Sequence, residues 1–231
     1  MDRSFSLELR DEAAPIWDRI LAHPFLSEMA EGTLPMDKFL FYIKQDHAYL
    51  VEFARCLGLA IAKENDREVM RDLVRRLNAT LVLEVDMLEG FCARIGLPME
   101  ELRKAEPAPA NLAYTRHMLN VAYAGSVGEI IASLLPCIWS YGEIGQRLMV
   151  CPGLGRNPIY REWCTSYGSE EYRDLISYYR GLLDKEARDA SPSLKARMRS
   201  HFMLSSRYEY EFWDMAYNKT DWQALWGSSS S

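Results

Sequence analysis

The chain is expected to fold as an all-α bundle of long packed helices in a single domain. Three observations predict this. Apolar residues recur at three- and four-residue spacing through most of the 231 residues. Glycine and proline fall mostly at the ends of those runs. No stretch alternates apolar with polar convincingly, and no Asn-Gly pair marks a hairpin. Short connectors between long helical runs leave little room for anything but helices packed on helices.

Residues 6–22 read as a first helix, with Leu7, Leu9, Ile16, Trp17, Ile20 and Leu21 mostly on one side and a bend possible at Pro15. His23-Pro24 ends it. Residues 25–31 form a short piece stopped by Gly32. Thr33 lies near the next start, with Pro35 just inside. From 35 to about 65 the only breaker is Gly58, enough for a helix ~45 Å long. Asp66 opens a second long run to about 95, with Gly90 inside and Gly96-Leu97-Pro98 closing it. A short helix at 99–105 precedes Pro107-Ala108-Pro109, and 109–124 is the next helix. Gly125 breaks it, and Ser126 with Glu129 forms a capping-box pattern for 127–150. Residues 151–155 read as a loop and 158–166 as a short helix. Ser169 can cap a helix to 189, and Ser191-Pro192 starts the last long one, to 218. An apolar piece at 222–226 completes a domain expected to span 1–226, followed by a flexible tail at 227–231.

Composition narrows the function classes. The chain is 48% apolar and 26% charged, as in ordinary soluble globular proteins. Its net charge of -6, with both signs mixed throughout, argues against a nucleic-acid or anionic-membrane surface. No apolar run approaches the ~18 residues of a membrane span. The first residues run straight into an amphipathic pattern, so no leader is expected. The 5 cysteines are odd in number, and no two form a CxxC pair, which suits reduced thiols in the cytoplasm rather than disulfides or zinc. His23, His47, His117 and His201 have no ligand spacing, and no glycine-rich phosphate loop is present. Neither a metal nor a cofactor is expected.

Three helices carry polar groups beside their apolar stripes. In the first, Tyr42, Asp46, Tyr49 and Phe53 share a face. A carboxylate there is costly unless paired, so Asp46 either bonds a local backbone or hydroxyl group or serves a ligand. In the second, Pro136 sits inside a helix, where proline costs ~3 kcal/mol, and Cys137 and Tyr141 project from one face. Cys137 is a candidate nucleophile; the plainer alternative is a small buried core thiol. In the third, Glu209 borders the apolar face set by Phe212 and Trp213, while Glu211 is expected in solvent. Glu209 is either a proton donor tuned by burial or one half of an ion pair at a packed edge. Cys56, Cys92 and Cys164 have no catalytic-type neighbour at helical spacing and read as structural.

Taken together, several segments resemble the TenA family, the thiaminase II enzymes. Leu135-Pro136-Cys137-Ile138-Trp139-Ser140-Tyr141-Gly142-Glu143-Ile144-Gly145 is similar to that family's cysteine helix. Gln45, Asp46 and Tyr49 match its Gln-Asp-x-x-Tyr pattern, and Tyr208-Glu209-Tyr210 through Phe212-Trp213, Met215-Ala216-Tyr217 match its last long helix. His23-Pro24-Phe25, Gly32-Thr33-Leu34-Pro35, Tyr114-Thr115 with His117-Met118, and Pro158-Ile159-Tyr160 through Tyr167-Gly168 follow the family's order over nearly the whole chain.

The resemblance implies a haem-oxygenase-like helical fold, a homotetramer and no cofactor. It implies hydrolysis of 4-amino-2-methylpyrimidines, the 5-aminomethyl derivative or thiamine, to the hydroxymethyl pyrimidine in thiamine salvage. Carried over, Cys137 is the nucleophile and Glu209 the proton donor and acceptor. Asp46 binds the pyrimidine's amidine-like edge, and Tyr49, Tyr114, Tyr141 and Tyr167 surround ring and thiol. His47-Ala48 replaces residues that other members carry beside the aspartate, which bears on the pocket wall. Two rival readings are a non-catalytic pyrimidine-binding or regulatory helical module, and a haem-handling relative of the same fold.

Overall fold

The computed structural model describes residues 4–227, so the predicted tail lies outside the described residues except for Gly227. Among the described residues every regular element is helical, as the sequence predicts. The first predicted helix is divided in two, α1 (Phe5–Glu12) and α2 (Ala14–Leu21). Ala13 ends the first, its N–H bonding Leu9 O, and its own carbonyl starts the second. Pro15 therefore falls in the first turn of α2, where a missing N–H leaves nothing unpaired.

Helix α3 (Pro24–Glu31) begins where His23 Nδ1 accepts the Phe25 N–H at 3.2 Å. Gly32 closes it in the left-handed region at φ 70, and the Thr33 and Leu34 N–H groups return to Glu28 O. A Cβ there would lie 2.8 Å from both Arg156 Cβ and Gly153 O, so the position excludes a side chain as well as favouring that backbone. Helix α4 (Met36–Lys63) starts one residue later than expected: Pro35 is its cap, and the Thr33 hydroxyl turns back to Glu28 O.

Asp66 caps α5 (Arg67–Asn78) by accepting the Glu68 N–H at 3.0 Å. The predicted run to 95 is continuous but not uniform. A π-helical segment, Ala79–Glu84, separates α5 from α6 (Val85–Ile95). Then come α7 (Met99–Arg103) and α8 (Pro109–Ala124). The capping box forms as expected: the Ser126 N–H donates to Glu129 Oε2 at 2.9 Å, and the Glu129 N–H reaches Ser126 Oγ at 3.4 Å. It starts α9 (Val127–Met149), which continues unbroken through Pro136.

The predicted loop after α9 is instead a 3₁₀ turn, Pro152–Arg156. Helices α10 (Pro158–Gly168), α11 (Glu170–Arg188), α12 (Pro192–Asn218) and α13 (Trp222–Trp226) follow. Ser169 caps α11 through the Tyr172 N–H, and Ser191 Oγ takes the Leu194 N–H at the start of α12. No helix among the described residues is long and apolar enough to cross a membrane.

The chain divides into two compact units, Met1–Leu34 with Ile131–Trp213, and Pro35–Ile130 with Asp214–Ser231. In the first, α1 packs on α11, and Ser6 donates from N–H and hydroxyl to the Asp184 carboxylate at 2.7 and 3.0 Å. Arg10 forks onto Glu143 at 2.9 and 2.7 Å. Trp17 is buried, stacked on Phe202 and edge-on to Trp139. Gly145 lets α9 approach the end of α10: a Cβ there would lie 2.5 Å from the Gly168 nitrogen. In the second unit α4 is the spine, packed along α8 and against α5, α6 and α7. Lys63 Nζ donates to the carbonyls of Tyr123 and Gly125 at 2.9 and 2.6 Å, closing the end of α8. Lys219 pairs with Asp37, and Trp222 Nε1 donates to Pro107 O at 3.0 Å, fastening the C-terminal segment to this unit.

Candidate active site

Asp46, Tyr49 and Tyr114 belong to the second unit. The spacing on α4 that put Tyr42 and Asp46 on one face is realised as a bond: the Tyr42 hydroxyl donates to Asp46 Oδ2 at 3.1 Å. Asp46 is 4% exposed. Burial pushes its carboxyl up from 3.8 to about 7, against the lowering effect of the Tyr42 hydrogen bond. Desolvation wins because one hydroxyl replaces a full hydration shell.

One turn on, Tyr49 packs against Tyr114 with centroids 5.2 Å apart, and its hydroxyl points to Met118 Sδ at 3.3 Å. The register of α8 on α4 is fixed by Gln45, directly before Asp46. Its Oε1 accepts from the Ala108 N–H at 2.8 Å and Asn111 Nδ2 at 2.9 Å, while its Nε2 donates to Glu106 O at 3.1 Å. Sequence reasoning named Gln45 only as part of a motif. Its value as a buried side chain bonded to a Pro-flanked segment was not visible in periodicity.

Cys137, Tyr141, Tyr167 and Glu209 belong to the first unit. Every residue from 127 to 142 is buried except Cys137, which is half-buried. The other cysteines of the helical runs differ. Cys56, Cys92 and Cys164 are buried, and burial pushes their thiols up to about 12, 11 and 12. They fit the structural role expected of them. Tyr141 meets Tyr167 edge-on at 5.0 Å, Trp163 at 5.7 Å and Trp213 at 5.3 Å. Trp163 also touches Tyr167 at 4.6 Å, completing an aromatic cluster from α9, α10 and α12.

Cys137 stands one turn before Tyr141, and Glu209 one turn before Trp213. Those two aromatic rings meet between α9 and α12. Glu209 is 2% exposed, as the alternative of a carboxyl tuned by burial requires, whereas Glu211 is exposed as expected. Trp163 and Trp213 escaped notice as site residues. Their four-residue spacings, to Tyr167 and from Glu209, were the available signal. Among the described residues no group of three or more His, Cys, Asp or Glu side chains is arranged to hold a metal ion.

Such an arrangement can do two things. A half-buried thiol one turn from an aromatic cluster can add to a flat electrophile, and a buried carboxyl one turn from the same cluster can move protons. A carboxyl that titrates near neutrality can offer one donor and one acceptor to a heterocycle edge.

Comparison with known proteins agrees over most of the chain. Residues 10–219 match the model of the TENA/THI-4/PQQC family. An aminopyrimidine aminohydrolase from Halalkalibacterium halodurans is 43% identical over 219 residues, 95% of this chain and 98% of that protein. The structure of a TenA homologue from P. horikoshii OT3 superposes with a TM-score of 0.86 at 35% identity, covering 94% of this chain and 99% of that one. A domain with a haem-oxygenase-like fold from Shewanella denitrificans OS217, at 15% identity, superposes with a TM-score of 0.73 over 97% of this chain and 96% of that one; it speaks for the fold alone. On these grounds the chain belongs to the TENA/THI-4/PQQC family.

Proposed function

We propose that this chain is an aminopyrimidine aminohydrolase, a thiaminase II, acting on 4-amino-2-methylpyrimidines that carry a leaving group on the 5-methylene. The observation that carries the reading is that Cys137 is half-buried in an otherwise buried stretch of helix. A core cysteine would be covered like its neighbours. The similarity to a relative bearing that enzyme name supports the same activity.

Water displaces an amine from such a methylene slowly. A Cys137 thiolate adding to the ring makes it electron-rich enough to expel the amine or thiazole, which divides one hard step into easier ones. The ring nitrogen needs a proton to accept the thiolate, and an amine leaving group needs one to depart, whereas the already cationic thiazolium of thiamine leaves as neutral thiazole. Glu209 supplies and recovers these protons from a buried position beside the cluster that holds Tyr141. Water then attacks the methylene and the thiolate leaves, giving the hydroxymethyl pyrimidine.

Asp46 takes the amino group and adjacent ring nitrogen of the pyrimidine, and Tyr49, Tyr114, Tyr141 and Tyr167 supply stacking area. The reading treats 1–226 as one catalytic domain. It also places the protein in the cytoplasm as a homotetramer in thiamine salvage.

The test is one assay with three substrates, namely thiamine and its aminomethyl and formylaminomethyl pyrimidine breakdown products. Formation of the hydroxymethyl pyrimidine from at least one of them is expected. Tight binding of all three without product would replace the enzyme by a pyrimidine-binding module.

A further inference from the structure

Ser205 and Ser206 lie about one turn before Glu209 on α12, and both are fully buried. Their hydroxyls are used differently. Ser206 Oγ accepts the indole N–H of Trp17 at 3.0 Å, fixing two buried side chains to each other. Ser205 Oγ has no hydrogen-bond partner among the described residues.

A serine within a helix has a ready acceptor in the carbonyl four residues back, here that of His201. Ser205 does not take it. A buried hydroxyl without a partner destabilises a fold, and alanine would occupy the same place without that loss. Ser205 is set four residues before Glu209, on the same face. Side chains on a helix lean toward its N-terminus, so the Glu209 side chain extends over the turn that carries Ser205. Two buried polar groups thus occupy adjacent turns of one face, and the hydroxyl is bonded to nothing else among the described residues.

We propose that Ser205 holds the attacking water of the hydrolytic step for Glu209, an inference that rests on the role given to Glu209 above. In that step the water oxygen forms the C–O bond to the substrate's methylene. Its proton passes to the Glu209 carboxylate, and the methylene's π electrons move into the ring cation left by the departed amine. The C–S bond to Cys137 then breaks, its electron pair returning to sulfur, and the ring nitrogen's proton passes to that sulfur to restore the thiol. Ser205 gains and loses no proton. It contributes one hydrogen bond that keeps the water between carboxylate and methylene, and so decides that water rather than another small nucleophile completes the reaction.

The test uses full-length Ser205→Ala, Ser205→Thr, Glu209→Gln and wild-type protein with the aminomethyl pyrimidine, with and without methanol as a competing nucleophile. For Ser205→Ala, kcat is expected to fall about tenfold or more with KM within about twofold. The ratio of hydroxymethyl to methoxymethyl product is expected to fall several-fold, and the melting temperature to hold or rise because an unpartnered hydroxyl has been removed. Ser205→Thr, which keeps the hydroxyl, restores the wild-type product ratio. An unchanged kcat and product ratio in Ser205→Ala, with Glu209→Gln inactive, would overturn the inference and leave Ser205 as packing. A large drop in its melting temperature would do the same, by showing that the hydroxyl serves the fold. Wild-type kinetics in Glu209→Gln would remove the base that the water serves, overturning the Glu209 assignment and this inference with it.

Discussion

Replacing Asp46 by asparagine should make the protein more stable at alkaline pH and cost it its substrate. The folded carboxyl is raised from 3.8 to about 7, with burial as the leading cause. Between those values the native state binds more protons than the unfolded one. Stability is therefore fully present below 3.8 and is lost as pH rises through 7, opposite in sign to a salt-bridged aspartate. Integrating that difference from pH 5 to pH 8 gives about 3 kcal/mol of stability lost by the wild type. The asparagine of the variant does not titrate, so the variant escapes the loss. Its amide still accepts from the Tyr42 hydroxyl, and any penalty for burying its NH₂ group is the same at both pH values and cancels. The assay is urea unfolding of wild type and Asp46→Asn at pH 5 and pH 8. The stability of the variant relative to wild type should rise by about 3 kcal/mol between them. A rise below about 0.5 kcal/mol, within the additivity error of such comparisons, would refute the argument that Asp46 is a desolvated carboxyl. Loss of pyrimidine binding in the same variant would show what the destabilising group is for.

Other expectations follow from the geometry. Iodoacetamide at neutral pH should modify Cys137 and Cys151, both half-buried, well before Cys56, Cys92 or Cys164, whose thiols are buried and pushed up to about 12, 11 and 12. Peptide mass spectrometry with equal labelling of every cysteine would contradict the burial pattern. Gly145→Ala puts a Cβ 2.5 Å from the Gly168 nitrogen and 2.7 Å from the Tyr167 carbonyl carbon. It should cost about 1–3 kcal/mol of stability and displace Tyr167, seen as a lowered melting temperature and a raised KM. Ser126→Ala removes one side of the capping box and should cost about 1 kcal/mol without changing kcat, as urea unfolding and steady-state rates would show.

Much of the fold was legible because its breakers have direct physical effects. Pro109 and Gly125 bound α8 where the chain said they would, and Asp66, Ser126 and Ser169 each cap the helix assigned to them. The break at Ala13 was not legible, since alanine is the strongest helix former and Pro15 can be read as a bend or as a first-turn residue. Nor was the π segment at Ala79–Glu84, where no glycine or proline marks the widening.

In the site, the Tyr42–Asp46 bond followed from a four-residue spacing. The exposure of Cys137 did not. Its neighbours on α9 are apolar, and by pattern alone the thiol belonged inside with them. The burial of Glu209 stayed open in the sequence because a helical wheel shows which residues border a stripe, not how far they are covered. The residue roles themselves came from resemblance, since spacing places a thiol and a carboxyl but does not say what they react with.

The central claim is that Cys137 performs chemistry on an aminopyrimidine. It is tested most directly by following ammonia release from 5-aminomethyl-4-amino-2-methylpyrimidine with wild-type protein and Cys137→Ala, each first confirmed folded by circular dichroism. The account predicts turnover by the wild type and none by the variant, with helical content unchanged. Ammonia release by Cys137→Ala at the wild-type rate would contradict it.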